Sequence, residues 1–351
     1  MKKAKVLGLL LALMLLAVGC GKKNNTAEQA SANEPAKEEQ SAEIKDFKIV
    51  LKLSHVFAPE EQLTKSTDAA AKAIYERTNG AVEIQTYPQG QLPTYKDGLE
   101  QVYNGADFIS VEDPSYLGDY VPDFKALVGP FIYSDIDQYT NMIKTDLVQD
   151  MIKKAEDEHG IKVLALDYVF GFRNMMTNKE IKEPADLKGM KIRVPGSQIF
   201  IDTINAMGAT ATPMAFSETI SAVQQGVVDG LEGTVDAMTA NGSAEVVKNV
   251  GLTKHFLGTC GIYINKDVFN KIPKEYQEII QEEFTKNAQE MTSNVKTNYD
   301  AQVKYLEEKG IAFNEVNLPA FQEATKVVFE KMEGISPDIY QKLLDEIAKM
   351  K

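Results

Sequence analysis

The chain has 351 residues, 44% of them hydrophobic and 25% charged, an ordinary composition for a globular protein. Its formal net charge of −13 offers no basic stripe for phosphate backbones, which excludes nucleic-acid binding and broad attraction of acidic ligands. Any anion site therefore has to be local.

Lys2, Lys3 and Lys5 precede an apolar run from Val6 to Val18, and Ala17-Val-Gly-Cys20 closes it, the layout of a secretory signal peptide. The run is shorter than the roughly 20 residues of a membrane span. Residues 21–45 carry no apolar periodicity, so a disordered tether is expected there. The folded part then begins near Asp46.

Lys48–Ser54 alternates polar and apolar residues and predicts a strand. Glu61–Thr78 predicts an amphipathic helix stopped by Asn79-Gly80, followed by a strand at Val82–Tyr87. A helix over Tyr95–Asn104 and a strand over Phe108–Glu112 come next. Ala126–Val128 and Lys162–Asp167 read as further strands, separated by one helix from Ile136 to His159. The pattern restarts after Tyr168 with short strands at Met175–Thr177, Lys191–Val194, Ala211–Pro213 and Leu231–Gly233, which reads as a second sheet. Gly261–Ile264 begins a return path, and Pro273–Lys309 predicts a helix about 50 Å long, enough to lie against both halves. This alternation implies α/β architecture with mostly parallel pairing.

Only three arginines occur, Arg77, Arg173 and Arg193, against an abundance of lysine. A guanidinium can grip a carboxylate with two parallel hydrogen bonds, which an ammonium cannot do. Two of the three lie in one motif-dense segment. It contains Gly171-Phe-Arg-Asn174, Asp186-Leu-Lys-Gly-Met-Lys-Ile-Arg-Val-Pro195, Pro213-Met-Ala-Phe-Ser-Glu218 and Gln224-Gln-Gly-Val-Val-Asp-Gly-Leu-Glu232. The three histidines, His55, His159 and His255, have no metal-ligand spacing. No nucleophile elbow, phosphate loop or dinucleotide fingerprint is present, so neither an enzyme, a metal nor a cofactor is expected. Cys260 reads as a small buried residue.

With Ser54-His55, Glu76-Arg-Thr-Asn-Gly80 and Tyr87-Pro-Gln-Gly-Gln-Leu92 added, these motifs resemble the extracytoplasmic solute receptors of TRAP transporters, the DctP family. The resemblance implies a two-lobed periplasmic-binding-protein fold with a hinge, two mixed β-sheets flanked by helices, and a long helix spanning both lobes. Residues 46–168 would form most of lobe I and 169–257 most of lobe II. Residues 258–351 would supply a crossover strand, the long helix and the C-terminal helices. It further implies that residues 1–20 are a lipoprotein signal whose Cys20 is lipidated, anchoring the protein on the outer side of the cytoplasmic membrane.

By the same resemblance, Arg193 holds the ligand carboxylate in a bidentate salt bridge and Arg173 is a second donor. Phe216 packs against the ligand, and Glu232 belongs to the same site. Gly233 stands where several acid-sugar receptors carry asparagine. Glu112 resembles the acidic position of sialic-acid receptors, and Tyr95 and His55 are candidates for the lobe I wall. A carboxylate at Glu112 would accept hydrogen bonds from hydroxyls and repel a second ligand carboxylate. The expected solute is a sugar acid such as a uronate or sialic acid, delivered to a small and a large membrane subunit. The alternatives are a C4-dicarboxylate or other small carboxylate, and a sensing lipoprotein coupled to a sensor kinase.

Overall fold

The computed structural model describes residues 46–350. The signal segment, Cys20 and the tether expected at 21–45 lie outside the described residues.

The chain begins with β1 (Ile49–Ser54), α1 (Gln62–Arg77), β2 (Val82–Tyr87), α2 (Tyr95–Tyr103) and β3 (Phe108–Glu112). Leu51 and Leu53 of β1 are fully buried while Lys52 between them is exposed, the period of two that marks a strand. A 3-10 turn (Pro114–Asp119) leads into α3 (Phe124–Leu127), α4 (Ile136–Met142) and α5 (Asp146–His159). Two expectations fail here. Ala126–Val128 is helix and turn, since a short apolar run cannot distinguish a strand from a buried helix. The single helix from Ile136 to His159 is broken because Thr145 turns extended and its hydroxyl bonds back to the Met142 carbonyl at 2.7 Å.

The larger difference concerns the sheets. β4 runs unbroken from Ile161 to Thr177, so the segment expected to restart after Tyr168 continues the same strand. Next come β5 (Lys191–Val194), α6 (Gln198–Ala206), β6 (Thr210–Pro213), α7 (Thr219–Gln224), β7 (Gly230–Thr234), α8 (Val235–Ala240) and α9 (Ser243–Val246). A second 17-residue strand, β8 (Asn249–Asn265), pairs antiparallel with β4 along its length. The two sheets of the expected fold are thereby joined in one mixed ladder ordered β2-β1-β3-β8-β4-β7-β5-β6, with β9 (Ala312–Asn314) on β8. β1, β2 and β3 pair in parallel, as do β5, β6 and β7, and the long strands supply the antiparallel pairings. Register shifts at four points between Val163 and Met175 bend the paired strands. They also interrupt the alternation that would have revealed one long strand.

Separate apolar cores flank each half of the ladder. After α10 (Lys266–Asn270), α11 (Lys274–Glu308) reaches both halves, about 52 Å at 1.5 Å per residue. Ile280, Phe284, Ala288 and Met291 enter the core behind β1, and Leu306 enters a core behind β7. Burying Phe284 alone contributes about 1.5–3 kcal/mol. The third arginine serves this packing. Arg77 reaches Glu282 and Glu283 of α11, each at 2.7 Å, tying α1 to the long helix. α12 (Leu318–Lys331) and α13 (Ile339–Lys349) complete the chain.

Candidate functional site

A cavity with about 590 Å³ of empty space opens where the carboxyl ends of β1, β3, β5, β6 and β7 converge, the usual ligand position in α/β sheets. Arg193 and Arg173 both line it, together with Glu112, Phe216, Glu232, Gly233 and Tyr95.

The neighbouring strands β5, β7 and β4 bring Arg193, Glu232 and Arg173 together. Arg193 is 1% exposed. Its Nε and Nη2 donate to the Met214 carbonyl at 3.2 and 3.0 Å, and Nη2 also donates to the Tyr95 hydroxyl at 3.2 Å. The guanidinium carbon lies 5.1 Å from the centre of the Phe216 ring, a cation–π contact. Among the described residues it has no carboxylate partner, and Nη1 makes no hydrogen bond. A buried cation held only by neutral groups can accept an anion through its Nη1 and Nη2 edge. The Nε and Nη2 edge is already committed to Met214.

Arg173 is different. Its Nε and Nη2 grip Glu232 Oε2 and Oε1, both at 2.5 Å, while its face lies 5.1 Å from Phe200. Burial would raise the Glu232 carboxyl, but Arg173 and His255 hold it down at about 2. His255 Nε2 stands 3.6 Å from Glu232 Oε2, and burial lowers its own pKa. Arg173 reaches the cavity wall with its charge already matched, and Glu232 serves first as its counter-ion.

The opposite wall carries a buried acid. Glu112 is 2% exposed and accepts from the Tyr95 backbone N–H at 2.5 Å and the Ser110 hydroxyl at 3.4 Å. Burial raises its pKa well above the carboxylate range. The carboxyl accepts both of these hydrogen bonds and has no cation beside it among the described residues, so burial disfavours its charged form. Tyr95 adopts φ 58°, a left-handed conformation rare outside glycine, and this strained backbone spans Glu112 and Arg193.

His55 is not at the wall. It is fully buried, its ring centre lies 5.9 Å from that of Phe57, and neither ring nitrogen has a hydrogen-bond partner. Burial depresses its pKa to about 4, so it is a neutral core residue beneath the cavity. Cys260 is buried as expected but also lines the cavity.

Sequence reasoning passed over Glu61, Asp113 and Tyr116, which also line it. Burial raises Glu61 to about 8 and Asp113 to about 6. Their shared signal is position: Glu61 follows β1, and Asp113 and Tyr116 follow β3, both at carboxyl ends of parallel strands. Gly233 faces the cavity from β7, and a Cβ there would meet only the Met176 side chain, Sδ at 3.8 Å and Cε at 3.9 Å, among the described residues.

Residues 53–334 match the family model described as bacterial extracellular solute-binding protein, family 7. A TRAP periplasmic solute binding protein from Desulfovibrio salexigens is 56% identical with a TM-score of 0.85, covering 87% of this chain and 98% of that one. A second, from Fusobacterium, is 42% identical with a TM-score of 0.85, covering 86% and 97%. A third, from Actinobacillus succinogenes, is 28% identical with a TM-score of 0.82, covering 86% and 100%. The chain therefore belongs to bacterial extracellular solute-binding protein family 7: it is an extracytoplasmic solute receptor of the TRAP type and not an enzyme.

Proposed function

We propose that the receptor captures a small polyhydroxylated organic acid with one anionic head, held by Arg193 in a salt bridge through Nη1 and Nη2. The observation that carries this reading is the buried Arg193, whose hydrogen bonds all go to neutral groups. Losing water costs an anion several kcal/mol, and a charge-assisted pair is the strongest common offset. Glu112 and the Tyr116 hydroxyl then face the hydroxyl-bearing end. Arg173 completes the wall and supplies Nη1, which makes no hydrogen bond among the described residues.

A sugar acid such as a uronate or sialic acid fits this arrangement, and the 28% identical relative carries bound L-galactonate. A second reading, a phosphate ester of glycerol, has its own support. The 56% identical relative is in complex with diglycerolphosphate, and the 42% identical one holds sn-glycerol-3-phosphate. Burial disfavours the charged form of Glu112, which weakens the objection that a second anion would raise against a phosphoryl group.

Closure brings residues 46–168 and 169–257 together around the ligand, with the bulged stretch of β4 and β8 as the hinge. Ligand affinity for the closed state shifts the population. Cys20 carries the lipid, and residues 21–45 tether the receptor to the membrane. Cys20→Ala should release the protein from the membrane fraction; retention there would remove the anchor.

Isothermal titration against uronate, sialic acid, galactonate, sn-glycerol-3-phosphate and succinate tests the ligand, since the chain has no tryptophan to report binding. Tight succinate binding with no hydroxylated acid bound would defeat both readings. Arg193→Lys should fold and lose at least about a hundredfold in affinity for the best ligand. An unchanged affinity would remove Arg193 from the site.

A further inference from the structure

Beside the main cavity lies a groove walled by elements from both halves of the chain. The 3-10 turn Pro114–Asp119, Lys96 of α2 and Lys125 of α3 form one side. Gly196, Ser197 and the first turn of the nine-residue α6 form the other.

Several independent features there favour an anion. Lys96 is exposed and makes no ion pair among the described residues, and Lys125 makes only a 3.3 Å bond to the Glu333 carbonyl. Ser197 does not cap α6 with its side chain, so the amides of the first turn and the positive end of the helix dipole face the groove. Ser115 Oγ and Tyr116 Oη are hydroxyls of residues 3% and 6% exposed, and neither has a hydrogen-bond partner among the described residues. The Tyr116 hydroxyl is aimed at the base of α6: a Cβ on Gly196 would stand 4.0 Å from it. Buried hydroxyls are normally paired, so two unpaired ones on one wall point to a ligand. The opposing charge is Asp119, one exposed carboxylate against two ammonium groups.

We infer that this groove is a second oxyanion site, separate from Arg193, where Lys96, Lys125, Ser115 and the start of α6 hold a phosphoryl-type group. Lysine suits a phosphate because it acts as a point charge without needing a planar match. Tyr116 lines both the groove and the main cavity. The anion could thus be free phosphate or the distal group of a solute extending out past Tyr116. Because the walls come from both halves, an anion bound here also favours the closed arrangement.

Titration calorimetry with inorganic phosphate at fixed ionic strength, using chloride as control, tests the site. The parent should bind phosphate, while Lys96→Gln combined with Lys125→Gln should bind it at least about tenfold more weakly. Ser115→Ala should weaken it to a smaller extent. A phosphodiester of glycerol distinguishes the sources: if the distal group uses the groove, the lysine pair weakens the diester but not sn-glycerol-3-phosphate. If both esters are unaffected while phosphate binding falls, the occupant is the free ion. Phosphate binding that is lost in Arg193→Lys and intact in the lysine double variant would overturn the proposal. So would heat no different from that of chloride.

Discussion

Two guanidinium groups face one cavity, yet only one of them has a carboxylate counter-ion among the described residues. Arg173 is matched by Glu232 across the β4–β7 pairing, while Arg193 leans on a backbone carbonyl, a phenol and an aromatic face. A buried charge with its counter-ion is part of the fold, and a buried charge held by neutral groups is ready for a ligand. Residue type alone does not separate these roles; what surrounds each side chain does.

The largest test of that contrast is stability. Glu232→Gln strands Arg173 without its anion and should lower unfolding free energy by about 3–5 kcal/mol. Arg193→Met removes a cation that has no carboxylate to strand and should stay within about 1 kcal/mol of the parent. Urea denaturation at pH 7 without ligand checks both. Equal losses in the two variants would mean that the arginines are held alike, and the contrast would collapse.

A second test uses acidity, because the same cavity is lined by carboxyl groups pushed in opposite directions. Glu232 is held at about 2, so its contribution is complete above the ordinary 4.5 and fades as pH falls toward 2. Glu61, in contrast, is raised from 4.5 to about 8 by burial. The folded protein keeps the Glu61 proton that the unfolded chain releases, so stability falls as pH rises from 4.5 to 8. Glu61→Gln should flatten that slope and gain about 1–3 kcal/mol over the parent at pH 8. A variant with the parent's slope across this window would show that Glu61 ionises freely, as an exposed acid does. Asp113, raised to about 6, should leave a weaker slope of the same sign in the variant.

The sequence revealed the elements whose signals are local. The alternation in β1, the Asn79-Gly80 stop after α1, and the long polar-apolar pattern of α11 each report their own backbone. It also revealed the two arginines, because a rare residue within dense motifs stands out. The rest depends on distance along the chain. Arg173 and Glu232 are 59 positions apart, and nothing near either one announces the pairing. The upward push on the Glu112 pKa follows from its burial in the folded chain, not from the strand that carries it. The continuity of β4 was hidden by its own bulges, since each register shift resets the period of two.

The smallest expected effect compares two glycines on one strand. At Gly230 an added Cβ would stand 2.3 Å from the Met176 carbonyl oxygen, whereas at Gly233 the nearest atom is Met176 Sδ at 3.8 Å. Gly230→Ala should therefore cost about 1–3 kcal/mol by forcing β4 and β7 apart, and Gly233→Ala about 0.5 kcal/mol or less. Gly233→Asn goes further and places an amide in the cavity beside Glu232, where it can bond a ligand hydroxyl. It should leave the fold intact and shift selectivity toward sugar acids over glycerol phosphate by a few fold, about 0.5–1.5 kcal/mol for one neutral hydrogen bond. Calorimetric titration of parent and variant against galactonate and sn-glycerol-3-phosphate measures that ratio directly. An unchanged ratio with intact binding would show that the ligand never reaches β7, confining recognition to Arg193 and the wall formed by Glu112 and Tyr116.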